Sequence, residues 1–227
     1  KINAPAYKVA SFEAIDLPLI RYIAKTGKPM IISTGMANEE EISEAIETAQ
    51  NAGCTQLAIL HCVSSYPALA SDYNLRTINA MQHRFNVLTG LSDHTIDNVT
   101  AITSVAMGAV IIEKHVTLDR NGGGADDSFS IEPAELAALC RDTKSAWLAL
   151  GTVSLKGQPS EQENLKYRRS LYFISDLPAG TILTAEHIRS VRPGFGLAPK
   201  YYDKIIGLTL KVDGEKNTAT KLEHFNV

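Results

Sequence analysis

In GLSDHT, Ser92, Asp93 and His94 stand side by side directly after the apolar run that begins at Val87, and a second run, Ala109 to His115, also closes on an imidazole. A hydroxyl among backbone N–H groups suits a phosphate oxygen, and two imidazoles at equivalent strand ends make half of a divalent-metal site. Each residue also has an ordinary structural reading. A single histidine after a strand is commonly a hydrogen-bonded structural residue. Ser92 or Thr95 could cap a helix starting near Ile96, and Asp93 could orient His94 or hold a backbone amide.

Three earlier apolar runs end in the same way. Tyr7–Ser11 is followed by Glu13, Met30–Thr34 ends on Ser33 and Thr34, and Leu57–Cys62 is followed by Ser64, Ser65 and Tyr66. Lys8 adds a cation to the first. His61 lies inside an apolar run and reads as a packed core histidine, while His83, His187 and His224 lie in polar surroundings and receive no role.

These five runs are short and apolar nearly throughout, the signature of strands buried on both faces in a parallel sheet. Between them the apolar residues take helical spacing. In 38–52, Ile42, Ala45, Ile46 and Ala49 share one face, Asn38 can cap, Glu39, Glu40 and Glu41 favour the first turn, and Gly53 stops the helix. Weaker helical patterns cover 16–25, 74–84 and 96–107, and a strong one covers 132–150, with Pro133 in its first turn. The alternation of strand and helix predicts an α/β fold in which ligands bind where the strands end. Residues 1–150 form that layer, 151–169 read as a linker, and 170–227 as a small β-rich domain with strands at Leu171–Ile174 and Leu208–Val212, leaning on a partner surface.

Composition narrows the partners. With 227 residues, 44% hydrophobic and 21% charged, and a net charge of −3, the chain has a real core and no basic footprint for nucleic acid or an anionic membrane. Three cysteines, Cys54, Cys62 and Cys140, lack metal-site spacing and fit a reducing cytoplasm. The chain opens at Lys1 and enters a strand almost at once, which suggests the C-terminal part of something longer.

YKVASFE, IISTGM, HCVSSYP, GLSDHT and IEKHVT, in this order, resemble the sialic acid synthase family, and RRSLYF, LPAGT and VRPGFGLAP are similar to its C-terminal antifreeze-like SAF domain. The likeness covers essentially the whole chain. ASFE, SSYP and GGGADDSFS are most similar to the pseudaminic acid synthase branch. The resemblance implies a (β/α)8 TIM barrel of which this chain supplies the last five strands, the fourth to the eighth. It implies condensation of phosphoenolpyruvate with an N-acetylated amino-sugar aldehyde, 2,4-diacetamido-2,4,6-trideoxy-L-altrose, to give pseudaminic acid and phosphate, with N-acetylneuraminate or legionaminate as the alternative product.

Carried onto these motifs, the resemblance has Lys8, Ser11, Ser33, Ser64 and Ser92 bind phosphoenolpyruvate, and Glu13, Tyr66 and Asp126 face the sugar. His94 and His115 hold a divalent metal, Mn²⁺ with Mg²⁺ or Co²⁺ as alternatives, and either Glu13 or metal-bound water moves the protons. Ser64 stands where the neuraminate branch has Asn. Arg192 reaches the sugar site of the partner in a homodimer. With three strands absent, the expected activity of the chain alone is weak or nil, and a non-catalytic binding or dimerisation fragment is the competing reading.

Overall fold

The computed structural model describes residues 3–225. The chain divides into two compact units between Thr152 and Val153.

The first unit is built on five parallel strands in sequential order, β1 (Tyr7–Val9), β2 (Met30–Ser33), β3 (Leu57–Cys62), β4 (Leu88–Asp93) and β5 (Ile112–Lys114). Between them run α1 (Leu17–Ala24), α2 (Glu39–Asn51), α3 (Arg76–Phe85) and α4 (Val99–Ala106), and α5 (Pro133–Leu150) follows β5. Asn38 caps α2 by accepting from the Glu41 amide, and Glu41 answers by accepting from the Asn38 amide, so two otherwise orphaned donors are satisfied.

Strand register sorts the side chains by face. Val9, Met30, Ile32, Leu57 and Ile59 point one way and pack with Ile20, Ala45, Ile46, Ala49 and Met81 of the helices. Farther along the same face, Leu91 and Ile112 pack with Ile78, Ala101 and Leu139. The alternate positions Lys8, Ile31, Ser33, Leu60, Cys62, Gly90, Ser92 and Glu113 share the opposite face. That face is concave. In a flat sheet β1 and β5 would lie about 19 Å apart, four strand spacings, yet Lys8 Nζ approaches Glu113 Oε1 to 3.2 Å. Gly90 permits the bend: a Cβ there would sit 2.3 Å from the Ile111 carbonyl oxygen. Each of β1 and β5 has one strand partner among the described residues.

The second unit carries an antiparallel pair, β6 (Ser170–Phe173) and β7 (Ile188–Val191), around its own core of Leu171, Phe173, Leu183, Ile188, Ile205 and Leu210. A short helix, α6 (Tyr202–Ile205), follows. The strand expected at Leu208–Val212 is absent as such: Thr209 and Leu210 make single bridges to Ile182 and Phe225, so turn chemistry around Gly207 wins over β propensity. β7 had no clear apolar alternation. The stretch 151–169 contains a 3-10 run, Pro159–Tyr167, where no element was expected. No helix is long and apolar enough to cross a membrane among the described residues.

Candidate active site

The hydroxyls gather on the concave face where the strands end. Ser92 Oγ donates to Glu113 Oε1 at 2.8 Å, and the same oxygen meets Lys8 Nζ, so one carboxylate links β1, β4 and β5. The Gly35 amide, just past β2, donates to Ser11 Oγ at 3.1 Å. Gly35 is also where Ser64 closes in: a Cβ at this position would lie 2.4 Å from Ser64 Oγ and 2.8 Å from Ser11 Oγ. Ser33 is 2% exposed and its hydroxyl has no hydrogen-bond partner among the described residues. A buried, unpaired hydroxyl costs free energy unless a ligand satisfies it.

Beyond this cradle the two imidazoles meet, with ring centroids of His94 and His115 5.3 Å apart. His94 Nδ1 lies 2.7 Å from the Val63 carbonyl, which leaves Nε2 as its outward nitrogen, and His115 Nδ1 lies 3.5 Å from Asp126 Oδ2. Tyr66 lies over His94 at 4.3 Å, and Phe129 sits 5.2 Å from His115 and 5.3 Å from Tyr66, forming an aromatic wall.

The electrostatics of the imidazoles differ. Burial opposes charge on His94, but the neighbouring Cys62 thiol and the hydrogen bond to the Val63 carbonyl outweigh it and hold this imidazole above its usual range. Burial and then the neighbouring His94 push His115 below it. Burial likewise resists ionisation of Cys62, yet the nearby His94 imidazole and the Ser11 and Ser92 hydroxyls lower its thiol overall. Two imidazoles 5.3 Å apart, each with Nδ1 turned to a protein oxygen, are of the donor type that suits a divalent cation. Among the described residues no group of three or more His, Cys, Asp or Glu forms a closed metal cage. Two imidazoles would be one donor fewer than the three protein ligands of the usual catalytic zinc site.

Lys8, Ser11, Ser33, Ser64, Ser92, Tyr66, His94, His115 and Asp126 are therefore gathered at one end of the sheet. Glu13 is exposed in the 3-10 turn after β1, and its carboxylate has no hydrogen bond or ion pair among the described residues. Arg192 is exposed at the end of β7 in the second unit. Helix capping by Ser92 or Thr95 is corrected: α4 starts at Val99, Ser92 serves Glu113, and Thr95 Oγ1 donates to Asp93. Asp93 faces away from the imidazoles and takes the Thr95 amide. Sequence reasoning missed Glu113, Gly35, Cys62 and Phe129. Alternation from His115 back to Glu113 was the available signal for the first.

Both units resemble known proteins. The NeuB family profile matches residues 1–154 and the SAF domain profile residues 168–219. A pseudaminic acid synthase of Campylobacter jejuni is 40% identical over 97% of this chain, and an N,N'-diacetyllegionaminic acid synthase of the same species is 36% identical over 91%. The chain spans 64% and 63% of their respective lengths. The crystal structure of the N-acetylneuraminic acid synthetase from Leptospira borgpetersenii in complex with citrate aligns with a TM-score of 0.67 at 36% identity, over 72% of this chain and 57% of that one. The resemblance drawn from the strand-end motifs holds, and the chain belongs to the NeuB family, with a SAF domain as its second unit.

Proposed function

We propose that this chain carries the phosphoenolpyruvate- and metal-binding part of a nonulosonic acid synthase, its five strands being the last five of an eight-stranded barrel. The observation that carries the reading is the buried Ser33 hydroxyl, without a partner among the described residues, on the same concave face as Lys8 and Ser92. An orphaned donor beside a cation and further hydroxyls suits the oxygens of an anion.

Lys8 counters the charge of the phosphate, while Ser11, Ser33, Ser64 and Ser92 fix phosphate and carboxylate oxygens and so orient C3 of the enol. Glu113 aims Ser92 and Lys8 at that anion. Tyr66 and Phe129 exclude water beside the imidazoles, and Asp126 offers a carboxylate to the sugar hydroxyls. A divalent cation on His94 and His115, with Mn²⁺ the first choice, would supply Lewis acidity at the carbonyl oxygen of the open-chain sugar. Carbon–carbon bond formation between enol C3 and the aldehyde carbon, water addition at C2 and C–O cleavage then give the nonulosonic acid and phosphate. By resemblance alone, Glu13 or metal-bound water moves the protons, and Arg192 reaches the sugar site of a partner subunit. The greater identity to a pseudaminic acid synthase, 40% against 36% for a legionaminic acid synthase, favours a pseudaminic-type amino sugar.

Calorimetric titration of phosphoenolpyruvate into the chain, with and without Mn²⁺, tests the reading. Saturable binding that Ser33→Ala and Ser92→Ala each weaken is the expected result. Binding that neither substitution changes would overturn it.

A further inference from the structure

On the helix-facing side of the sheet lies an ion pair that the chemistry above does not use. Lys114 Nζ meets Asp93 Oδ2 at 2.8 Å, and the two side chains are 3% and 0% exposed. The pair joins residues directly opposite each other in the β4–β5 register, and each stands one position before an imidazole, Asp93 before His94 and Lys114 before His115. The Lys114 ammonium also donates to the Thr95 and Asp97 carbonyls, while Asp93 Oδ1 accepts the Thr95 amide at 2.9 Å and its hydroxyl at 2.8 Å. All three ammonium protons and both carboxylate oxygens are thus engaged.

Stability gives a weak account of such an arrangement. Two charges taken out of water lose hydration that their attraction only roughly repays, and well-packed apolar residues of the same volume commonly do as well or better. What a fully bonded ion pair adds is a single geometry. Here that geometry fixes the backbone from Asp93 to Asp97 to the end of β5. The amide of His94 is held from a different side: it donates to the buried Tyr73 hydroxyl at 2.7 Å, and that hydroxyl donates to the Ser92 carbonyl.

We infer that Asp93 and Lys114 are positioning residues for the His94–His115 pair: their buried ion pair locks the ends of β4 and β5 so that the two imidazoles keep the spacing a divalent cation needs. The inference rests on the metal-holding reading of that pair. Because side-chain alternation puts Asp93 and Lys114 on one face and the imidazoles on the other, the device stays dry while the site stays open to solvent and substrate.

Titration of Mn²⁺ against the chain, followed by the electron paramagnetic signal of the free ion, tests it without reference to turnover. Lys114→Met leaves a buried carboxylate unpaired and can unfold the unit, so the deciding variant is the double substitution Asp93→Asn with Lys114→Met, which removes both charges together. A thermal melt run alongside confirms that it folds. The expected result is a folded double variant that binds Mn²⁺ about 10- to 100-fold more weakly than the parent, the range for loss of outer-shell support. Parent-like affinity in the folded double variant overturns the inference, since a merely structural pair would change the melt alone. Mn²⁺ binding by the parent that survives His94→Ala instead overturns the metal reading of the imidazoles, and the inference falls with it.

Discussion

Lys8 on β1 and Glu113 on β5 meet at 3.2 Å, a bridge between the two edge strands across the concave face. Glu113 also accepts from Ser92, so it sets the direction of two groups assigned to the anion. Glu113→Gln keeps an acceptor for Ser92 and removes a negative charge beside the phosphate. Phosphoenolpyruvate is expected to bind this variant at least as tightly as the parent. Glu113→Ala leaves Ser92 undirected, and the loss of one hydrogen bond, about 1 kcal/mol, predicts roughly fivefold weaker binding. Calorimetry on both variants checks the split.

Gly35 allows the Ser11 and Ser64 hydroxyls to close on the backbone after β2. Gly35→Ala would force both away, since its Cβ would fall 2.4 Å from one and 2.8 Å from the other. Both obstacles are short side-chain ends, so the expected cost in stability is small, about 1 kcal/mol. Phosphoenolpyruvate binding should be lost while the thermal melt moves by only a few degrees. An unchanged affinity would show that these hydroxyls do not touch the ligand.

His61 gives the fold a pH dependence of defined sign. Burial pushes its imidazole below the usual range, partly offset by its hydrogen bond to the Tyr73 carbonyl. The unfolded chain therefore binds the proton more tightly than the fold does. Stability from this residue is complete above about pH 6.5, the ordinary histidine value, and declines as pH falls from there toward the folded value, by at most about 1.4 kcal/mol per pH unit. Urea midpoints at a series of pH values should fall more steeply below pH 6.5 for the parent than for His61→Asn. Because His94 and His115 are common to both proteins, their contributions cancel in the comparison. Parallel curves would show that His61 titrates alike in both states.

Phe173 anchors the core of the second unit: it is fully buried, and a Cβ on Gly214 would approach its ring to 2.9 Å. Phe173→Ala should cost about 3–5 kcal/mol, enough to unfold so small a core. The two units divide between Thr152 and Val153. Calorimetric scanning should accordingly show the transition of the first unit retained and that of the second lost.

Much of this was legible in the sequence because it rests on local periodicity. The five apolar runs became the five parallel strands, and Asn38 with Glu41 marked the start of α2 as capping chemistry requires. The strand-end motifs named Ser92, His94 and His115, and strict alternation along β4 puts Ser92 on the opposite face from Asp93. What failed was non-local. Glu113 gains its meaning from Lys8, more than a hundred residues earlier, and Phe129 from ring contacts across a loop that has no period. Asp93 and Lys114 were likewise invisible as a pair, since their register depends on how β4 and β5 align. Thr95 looked like a cap because Ser and Thr before a helix commonly are; its hydroxyl was instead claimed by Asp93.

The two-faced register of β4 has a bearing on which changes the gene encoding this chain can tolerate. Leu91 and Asp93 face the helices while Ser92 faces the concave side and bonds Glu113, so neighbouring positions of one strand serve different surroundings. An in-frame codon gained or lost within 88–93 would exchange the two sets in one event, turning Leu91 or Asp93 toward the cradle and Ser92 toward the helices. The length of this strand is accordingly under tighter constraint than any single one of its side chains.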